Sequence, residues 1–377
     1  MTAGNAAVIG GGIAGLSAAV GLGKAGYDVT LFERAPEIRP MGAALSIWRG
    51  AMAGLDWLEC GDAVRAGSAP IRSIALSTRD GRALFGPVDL AGMDSWLPMR
   101  TLLQAALAAR LDPAALRLGH PVEDVRPAAD KVEVIAQGQA VGAFDLCVVA
   151  DGIHSAVADR LLGNRAQFRS YVGALGIASH AAGDWPEGHG EEVWHGDERF
   201  GLFDAGEGRR YWFYMRTARG AEEVGAIDHA FVAQRSTGWA SVLGETVRST
   251  NPSHVIPVAM SARPAPKRLG AGRIICVGDA AHAMEPNQGQ GGCQGIEDGW
   301  ALGVLAQRLP PEDILPAFES LRLARLRSVM RDSLLMGRLA HYGSAAERAI
   351  GRAAFAATPA SLDGWQLRRR LAPPAYA

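Results

Sequence analysis

The chain has 377 residues, which is enough for two domains or one large composite with a sizeable core. Its 38 Lys and Arg residues are balanced by 39 Asp and Glu residues, so the charge predicts neither a nucleic-acid partner nor an acidic tail. A composition of 48% hydrophobic and 20% charged residues is that of an ordinary globular protein, which excludes extensive disorder.

The four cysteines, Cys60, Cys147, Cys276 and Cys293, are too widely spaced for a redox pair or a zinc knuckle. The first 23 residues carry no charge, but no basic residue precedes them and glycines interrupt them. They therefore predict neither a signal peptide nor a membrane span. We expect a cytoplasmic enzyme with no metal and no membrane partner.

A β-α-β unit is predicted at the start of the chain. An apolar strand over residues 6–9 leads into a helix of small residues over 13–26, and a second strand over 28–33 ends at an acid. This order is typical of a nucleotide-binding domain.

The turn between the first strand and the helix fits the pattern GxGxxG. Gly10 serves the tight turn, Gly12 allows a pyrophosphate to approach the backbone, and Gly15 allows close helix–strand packing. Glu33 follows 18 positions after Gly15, where a carboxylate can accept the ribose hydroxyls of an adenosine. A bound dinucleotide is therefore predicted here.

The middle of the chain contains short predicted strands over 116–118, 122–125 and 131–135. A buried strand over 144–150 then runs into Asp151-Gly152. Between residues 168 and 239 lie 12 of the 25 aromatic residues, and alternation over 210–216 favours strands. An aromatic-rich sheet in a nucleotide-binding chain is interpreted as a substrate-facing unit, with ordinary packing as the alternative for each ring.

The last third returns to an α/β pattern. A strand over 273–279 is followed by a predicted helix over 291–309, which two prolines end, and by one long helix or two over 314–339. The arginine-rich face of that last helical region is interpreted as solvated.

Three segments, each a buried strand running into a glycine turn, resemble the group A flavoprotein monooxygenases of the para-hydroxybenzoate hydroxylase type. They are residues 10–15, Asp151-Gly152, and residues 278–291 with the sequence GDAAHAMEPNQGQG, which matches the family pattern GDAAHxxxPxxGxG at every fixed position. Residues 42–47 resemble the family's second flavin loop. The resemblance covers residues 1 to about 330 and is closest to the urate hydroxylase and salicylate hydroxylase branch.

The resemblance implies an α/β fold with a Rossmann-like FAD-binding domain, an inserted mixed β-sheet substrate domain and C-terminal helices. The FAD-binding domain is expected to be discontinuous, over residues 1–74, 98–165 and 263–330. The substrate domain is expected over 75–97 and 166–262, and the C-terminal helical segment over 331–377.

The resemblance also implies non-covalent FAD. Asp279 would accept ribityl hydroxyls, the amides of Gly291 and Gly292 would stabilise charge on the isoalloxazine, and Arg100 would reach the phosphate and ribityl region. The alternative interpretation of Arg100 is a charge on the surface of a helix. Arg34 is either an adenosine contact or a solvated residue at the end of a strand. The predicted cofactor-binding residues are Gly10, Gly12, Ala14, Gly15, Glu33, Arg34, Arg100, Val122, Asp151, Asp279, Pro286, Gly289, Gly291 and Gly292.

On the substrate side, Arg199 and Tyr211 resemble in placement an Arg and a Tyr of the urate hydroxylase branch. The alternatives are an exposed arginine and a sheet-packing tyrosine. Two positions depart from the family: Ala158 stands where an Arg tied to the nicotinamide cofactor is common, and Asn287 stands where the urate hydroxylase branch tends to carry an acid. Urate is therefore not the expected substrate.

The predicted function is an FAD-dependent monooxygenase that uses NADH or NADPH and O₂. It would hydroxylate a small aromatic or heteroaromatic substrate through a flavin C4a-hydroperoxide, as a monomer or homodimer. The alternatives are an epoxidase or decarboxylative hydroxylase of the same family, a flavin dehydrogenase, and a non-catalytic protein that binds an aromatic ligand.

Overall fold

The computed structural model describes residues 3–38, 43–179, 184–358, 364–365, 367–369 and 371–376. The strands in these ranges are β1 (Gly4–Ile9), β2 (Tyr27–Glu33), β3 (Ala69–Pro70), β4 (Ser73–Thr78), β5 (Ala83–Asp89), β6 (Trp96–Leu97), β7 (Leu116–Leu118), β8 (Asp124–Ala128), β9 (Lys131–Ala136), β10 (Gln139–Phe144), β11 (Leu146–Val149), β12 (Gln167–Ala178), β13 (His189–His195), β14 (Glu198–Asp204), β15 (Arg210–Thr217), β16 (Ile256–Ala262), β17 (Gly270–Ala271) and β18 (Ile274–Cys276). The α-helices are α1 (Ile13–Lys24), α2 (Arg49–Trp57), α3 (Gly61–Ala66), α4 (Arg100–Ala108), α5 (Ala156–Leu162), α6 (His229–Arg235), α7 (Ser241–Ser249), α8 (Asp279–His282), α9 (Gly291–Ala306), α10 (Pro311–Gly337) and α11 (Ala345–Ala357).

A six-stranded sheet carries the nucleotide-binding half, in the order β17-β18-β11-β1-β2-β7. All its neighbouring strands run parallel except β17 and β18. The predicted β-α-β unit is present, but α1 ends at Lys24, and Gly26 beyond it has a φ of +89° that does not continue a helix. The strand predicted over 144–150 is divided at Asp145, whose backbone N–H donates to Asn5 at 3.0 Å.

Helices α1 and α9 pack backbone against backbone through glycines. A Cβ on Gly299 would lie 2.4 Å from the carbonyl carbon of Ser17, and a Cβ on Gly21 would lie 2.4 Å from the carbonyl oxygen of Gly299. Helix α9 also packs against α2 and α10 and is buried along most of its length. The two helices therefore have no room to slide, and their N-termini are held in one relative position.

A seven-stranded sheet in the order β16-β12-β15-β14-β13-β4-β5 forms the second unit. Its strands are antiparallel except β13 and β4. Because side chains alternate along a strand, Trp212 and Tyr214 face a core shared with residues of α6 and α7, while Tyr211 and Phe213 face the opposite side. That opposite side forms one wall of the candidate site.

The predicted architecture, with a Rossmann-like sheet, a mixed second sheet and C-terminal helices, is confirmed. The domain boundaries stay a prediction, and the boundary after residue 74 falls inside β4, which begins at Ser73. Within the described ranges, no helix is long and apolar enough to cross a bilayer.

The prediction of a solvated arginine-rich face on the long helix α10 is wrong for Arg322. This side chain is fully buried, with Nε donating to Asp298 Oδ1 and Nη1 to Glu297 Oε2, both at 2.8 Å. Two acids of α9 balance its charge, so Arg322 joins the two helices instead of facing water.

Candidate active site

The glycine turn before α1 leaves its N-terminus open. Gly10 has a φ of +106°, and a Cβ on Gly15 would lie 1.9 Å from the carbonyl oxygen of Gly10, so neither position accepts a larger residue. A Cβ on Gly12 would meet nothing within 4 Å. Ala14 lies beneath Gly278, because a Cβ at Gly278 would come within 2.4 Å of the Ala14 Cβ. An anionic group can therefore approach the free N–H groups of this helix end.

Two acids lie beside this turn, Glu33 at the end of β2 and Asp151 just after β11, the strands on either side of β1. Glu33 accepts the N–H of Gly11 at 2.6 Å and that of Ala35 at 2.8 Å, while Arg34 next to it is exposed. Among the described residues, the buried Oδ1 of Asp151 has no hydrogen-bond partner, and burial raises the pKa of this carboxyl. An unpaired buried oxygen beside an open helix N-terminus fits a site built for a polar dinucleotide.

Two further predicted residues lie near this region. Arg100 is the first residue of α4 and is exposed, with its backbone N–H donating to the carbonyl of Ala43 at 3.3 Å. Val122 is half-buried against the core and precedes β8, which begins at Asp124, so the strand predicted from residue 122 begins two residues later. The site role of both stays a prediction.

A cavity of about 540 Å³ lies between the N-terminus of α9 and the seven-stranded sheet. A Cβ on Gly291 would meet nothing within 4 Å, and one on Gly292 would meet only Leu45 at 3.8 Å. A flat ring can therefore lie against this helix end, where the dipole favours negative charge. The predicted residues that line the cavity are Tyr211, Asp279, Pro286, Gly289, Gly291 and Gly292.

The loop that resembles the second flavin loop closes one side of the cavity. Trp48 donates from Nε1 to the carbonyl of Gln288 at 3.0 Å, and a Cβ on Gly289 would lie 3.1 Å from the Cβ of Ser46. Gly42, its first residue, lies outside the described residues. The contacts hold this loop and the turn at residues 286–291 together around one space.

An aromatic wall faces the N-terminus of α9 across the cavity. The rings of Phe203, Tyr211 and Phe213 have centroids 6.0–6.3 Å apart. A Cβ on Gly201 would lie 2.1 Å from the ring of Phe213, so this glycine lets the ring lie flat against the sheet. Burial raises the pKa of Tyr211, and the nearby carboxylate of Glu192 raises it further. The hydroxyl therefore stays protonated and can donate a hydrogen bond.

Arg199 lies buried behind this wall and is not the exposed arginine of the alternative interpretation. Its Nη2 donates to Asn287 Oδ1 at 2.5 Å, and its Nη1 donates to Glu192 Oε2 at 3.4 Å. Its guanidinium also lies 5.5 Å from the ring centre of Phe213. One positive charge is thus held next to the cavity with an amide and a single carboxylate as its polar partners within the described residues.

The acid absent at position 287 is present two residues earlier. Glu285 is buried and accepts hydrogen bonds from Arg169 Nε at 3.0 Å, from Tyr342 at 2.7 Å and from Asn287 Nδ2 at 3.0 Å. Because Asn287 donates to Glu285, its carbonyl oxygen faces Arg199. Glu285 therefore orients the amide and does not face the cavity itself.

The turn that carries Asp279 is supported from α9. Asp298 Oδ2 accepts the N–H of Gly278 at 2.9 Å and pairs with His282 Nε2 at 2.6 Å, while Oδ1 accepts from Arg322. Burial alone raises the pKa of Asp298, but the charges of His282 and Arg322 hold it below its usual range. This ionised carboxylate fixes the backbone just before Asp279.

Sequence reasoning missed Arg263, a fully buried side chain. It donates to the carbonyl of Ile153 at 2.7 Å and to that of Asp279 at 3.2 Å, which joins the turn after Asp151-Gly152 to the turn that carries Asp279. Arg160, two residues after Ala158, donates to Asp124 Oδ1 at 2.5 Å and to the carbonyl of Val125 at 3.0 Å. Glu192 was also missed, because it belongs to no motif and only the alternation along β13 could have pointed to it.

In the described part of the chain, no group of three His, Cys, Asp or Glu side chains could hold a metal ion. The side chains that line the cavity can supply hydrogen bonds and charge and can exclude water around a flat ring.

Comparison with known proteins identifies the family. The model of the family described as FAD binding domain matches residues 4–333. The chain is 32% identical over 353 residues to the aurachin C monooxygenase/isomerase of Stigmatella aurantiaca, with 90% of each chain covered. It is 30% identical over 342 residues to an FAD-dependent urate hydroxylase of Klebsiella pneumoniae, covering 86% of this chain and 87% of the relative. It is also 30% identical over 347 residues to the 2-heptyl-3-hydroxy-4(1H)-quinolone synthase of Pseudomonas aeruginosa, with 89% of each covered.

The fold is shared with solved structures. The structure of Klebsiella pneumoniae HpxO complexed with FAD and uric acid superimposes with a TM-score of 0.88 at 24% identity, covering 97% of this chain and 96% of that one. At this level of identity the similarity establishes the fold.

Proposed function

We propose that this protein hydroxylates a planar heteroaromatic compound bearing an apolar substituent. The chain belongs to the FAD binding domain family and is a flavoprotein monooxygenase. FAD, when bound, would supply the redox chemistry that links oxidation of NADH or NADPH to the activation of O₂. The residues around the cavity then have three tasks: they hold the cofactor, orient the substrate ring and exclude water.

The proposal assigns the cofactor to two groups of residues. The glycine turn at residues 10–15, with Glu33 beside it, would hold the adenosine and pyrophosphate end. Asp279 and the N-terminus of α9 at Gly291 and Gly292 would hold the ribityl chain and the ring system. The open helix ends and the unpaired Asp151 oxygen support this assignment.

The observation that carries the substrate class is the division of the cavity lining into two parts. The part near the aromatic wall has polar groups from Glu192, Tyr211 and Asn287. The other part is formed by β4, β5, α10 and α11, and apart from Asp332 of α10 its side chains are apolar: Ile74, Leu76, Phe85, Leu335, Met336 and Phe355. A ring with polar edges fits the first part and an alkyl or prenyl group fits the second. The name of the quinolone synthase relative also describes a heteroaromatic ring with a heptyl chain.

A substrate panel tests this proposal. The purified, FAD-loaded protein is given urate, salicylate, 4(1H)-quinolone and 2-alkyl-4(1H)-quinolones of increasing chain length, and NADH or NADPH oxidation is followed. We expect the alkyl compounds to stimulate oxidation most and to gain one oxygen atom from ¹⁸O₂. Each added methylene that enters the apolar part should lower KM about fourfold, from about 0.8 kcal/mol per buried CH₂.

Two neighbouring leucines of α10 provide a matched pair of variants. Leu335 lines the cavity, whereas Leu334 does not. Leu335→Ser should raise KM for long-chain substrates and leave the unsubstituted ring unaffected, while Leu334→Ser should change neither. Preference for urate, or oxidation that yields only hydrogen peroxide with every compound, would contradict the proposal. An epoxide product would identify the epoxidase alternative.

A further inference from the structure

Glu192 has a placement that the cofactor site does not explain. It lies on β13 between Glu191 and Val193, and the alternation of the strand turns it towards the cavity, which it lines. Glu191 turns to the other side of the sheet, where it accepts a hydrogen bond from Ser77 Oγ at 2.5 Å. The cavity thus has one carboxylate on its aromatic wall among the described residues.

The two oxygens of Glu192 are in different situations. Oε2 accepts from Trp194 Nε1 at 3.0 Å and from Arg199 Nη1 at 3.4 Å. Within the described residues, no group donates to Oε1. The side chain is 21% exposed, and the cavity is the space that it lines. The bonds to Oε2 fix the carboxylate, and Oε1 remains as an acceptor for a group inside the cavity.

We propose that Glu192 determines substrate specificity by accepting a hydrogen bond from a ring N–H of the heteroaromatic substrate, an inference that rests on the proposed function. An ionised carboxylate can only accept hydrogen bonds. A substrate without a donor at this point would leave Oε1 of Glu192 unpaired, because water is excluded when the substrate binds. Tyr211 presents a donor from the same wall, which suits a carbonyl oxygen. The substrate class is therefore a lactam-like heterocycle that carries both N–H and C=O on its ring.

The same hydrogen bond favours the reaction. When a carboxylate accepts the N–H of a conjugated ring, electron density on the ring carbons increases. A more electron-rich carbon is attacked more readily by an electrophilic oxygen. Arg199, paired to Oε2 of the same carboxylate, limits how far Glu192 can move towards the substrate.

The test compares a ring N–H with a ring oxygen. Dissociation constants of 4(1H)-quinolone and of chromone, its 1-oxa analogue, are measured on the FAD-loaded protein from the change in flavin absorbance. The wild-type protein should bind the quinolone about 10- to 100-fold more tightly than chromone, as a hydrogen bond to a charged acceptor predicts. Glu192→Gln should reduce this ratio at least about fivefold, because a neutral amide is the weaker acceptor.

Glu191→Gln is the matched control and should keep the wild-type ratio. Glu192→Asp is a second variant that keeps the charge beside Arg199 but withdraws the acceptor, and it should also lower the ratio. If Glu192→Gln weakens both ligands equally, Glu192 only supports Arg199 and the inference is wrong. The inference also fails if neither ligand binds the wild-type protein. The proposed function fails on a separate result: a substrate panel that prefers urate, yields only hydrogen peroxide, or leaves NAD(P)H oxidation unstimulated.

Discussion

Replacing Arg322 by methionine should weaken the connection between α9 and α10. The buried guanidinium donates to Asp298, to Glu297 and to the side-chain oxygen of Gln294 at 2.9 Å. In Arg322→Met, Glu297 keeps the two bonds of 2.7 Å from Arg325, but Oδ1 of Asp298 loses its partner inside the core. Breaking a buried pair from one side costs about 3–5 kcal/mol.

The expected size of the effect on thermal unfolding follows from the chain length. With an unfolding entropy of about 2.1 cal/mol/K per residue over 377 residues, this cost lowers Tm by about 4–6 °C. Unfolding is followed by tryptophan fluorescence and, in parallel, by the release of flavin. Both transitions should move together, because Asp298 also holds the N–H of Gly278 next to the predicted ribityl contact.

Arg331→Met on the same helix is the control. Its side chain is 73% exposed and lies 3.3 Å from Asp332, so its loss should cost no more than about 1 kcal/mol. If Arg322→Met shifts Tm no further than Arg331→Met does, the buried cluster does not join α9 to α10 as argued.

Three other predictions concern the cofactor, the substrate and pH. Asp279→Ala should weaken FAD binding about 5- to 150-fold, through the loss of one acceptor at about 1–3 kcal/mol, and unchanged affinity in a fluorescence titration would contradict the ribityl role. Tyr211→Phe should raise the dissociation constant for a carbonyl-bearing substrate. Because burial raises the pKa of Tyr211, wild-type binding should show no titration up to about pH 10, and a midpoint there would refute the assignment. The charges of His282 and Arg322 outweigh burial and lower the pKa of Asp298 in the folded protein. The ionised Asp298 therefore contributes its full stabilisation of the fold above about pH 4. This contribution is lost as the pH falls through the lowered pKa of the folded state. Asp298→Asn should therefore have a flatter acid-unfolding curve below about pH 4, and curves parallel to wild type would show that Asp298 is not the titrating group.

The parts of the fold that sequence reasoning predicted correctly are local in the chain. The turn at residues 10–15 works through contacts among its own residues and their immediate neighbours, such as the approach of Gly15 to Gly10. Helix α9 begins at Gly291 as predicted, directly after its glycine turn, whereas α10 begins at Pro311, three residues before its predicted start at residue 314. Patterns of this kind need no knowledge of distant segments.

The parts that were missed depend on partners far away in sequence. Arg322 is one of several arginines at helical spacing, and only the two acids of α9 decide that it is buried. Arg199 donates a hydrogen bond to Asn287, which lies 88 positions away in the sequence. Glu192 can be recognised as a site residue only from the cavity that it lines. No periodicity distinguishes such residues from solvated charges, because their environment is set by the packing of separate elements.

The glycine contact between α1 and α9 has a consequence for biosynthesis. At about 5–20 residues per second, residue 291 is added about 15–55 s after residue 13, so α1 is made long before the helix that covers it. The central sheet is also completed late, because Val148 of β11 pairs with Ile275 of β18, which is synthesised much later. A nascent chain shorter than this has an uncovered α1 and an incomplete parallel sheet. On the proposed assignment, the part of the cofactor site at Gly291 and Gly292 is therefore completed only after α9 has been synthesised.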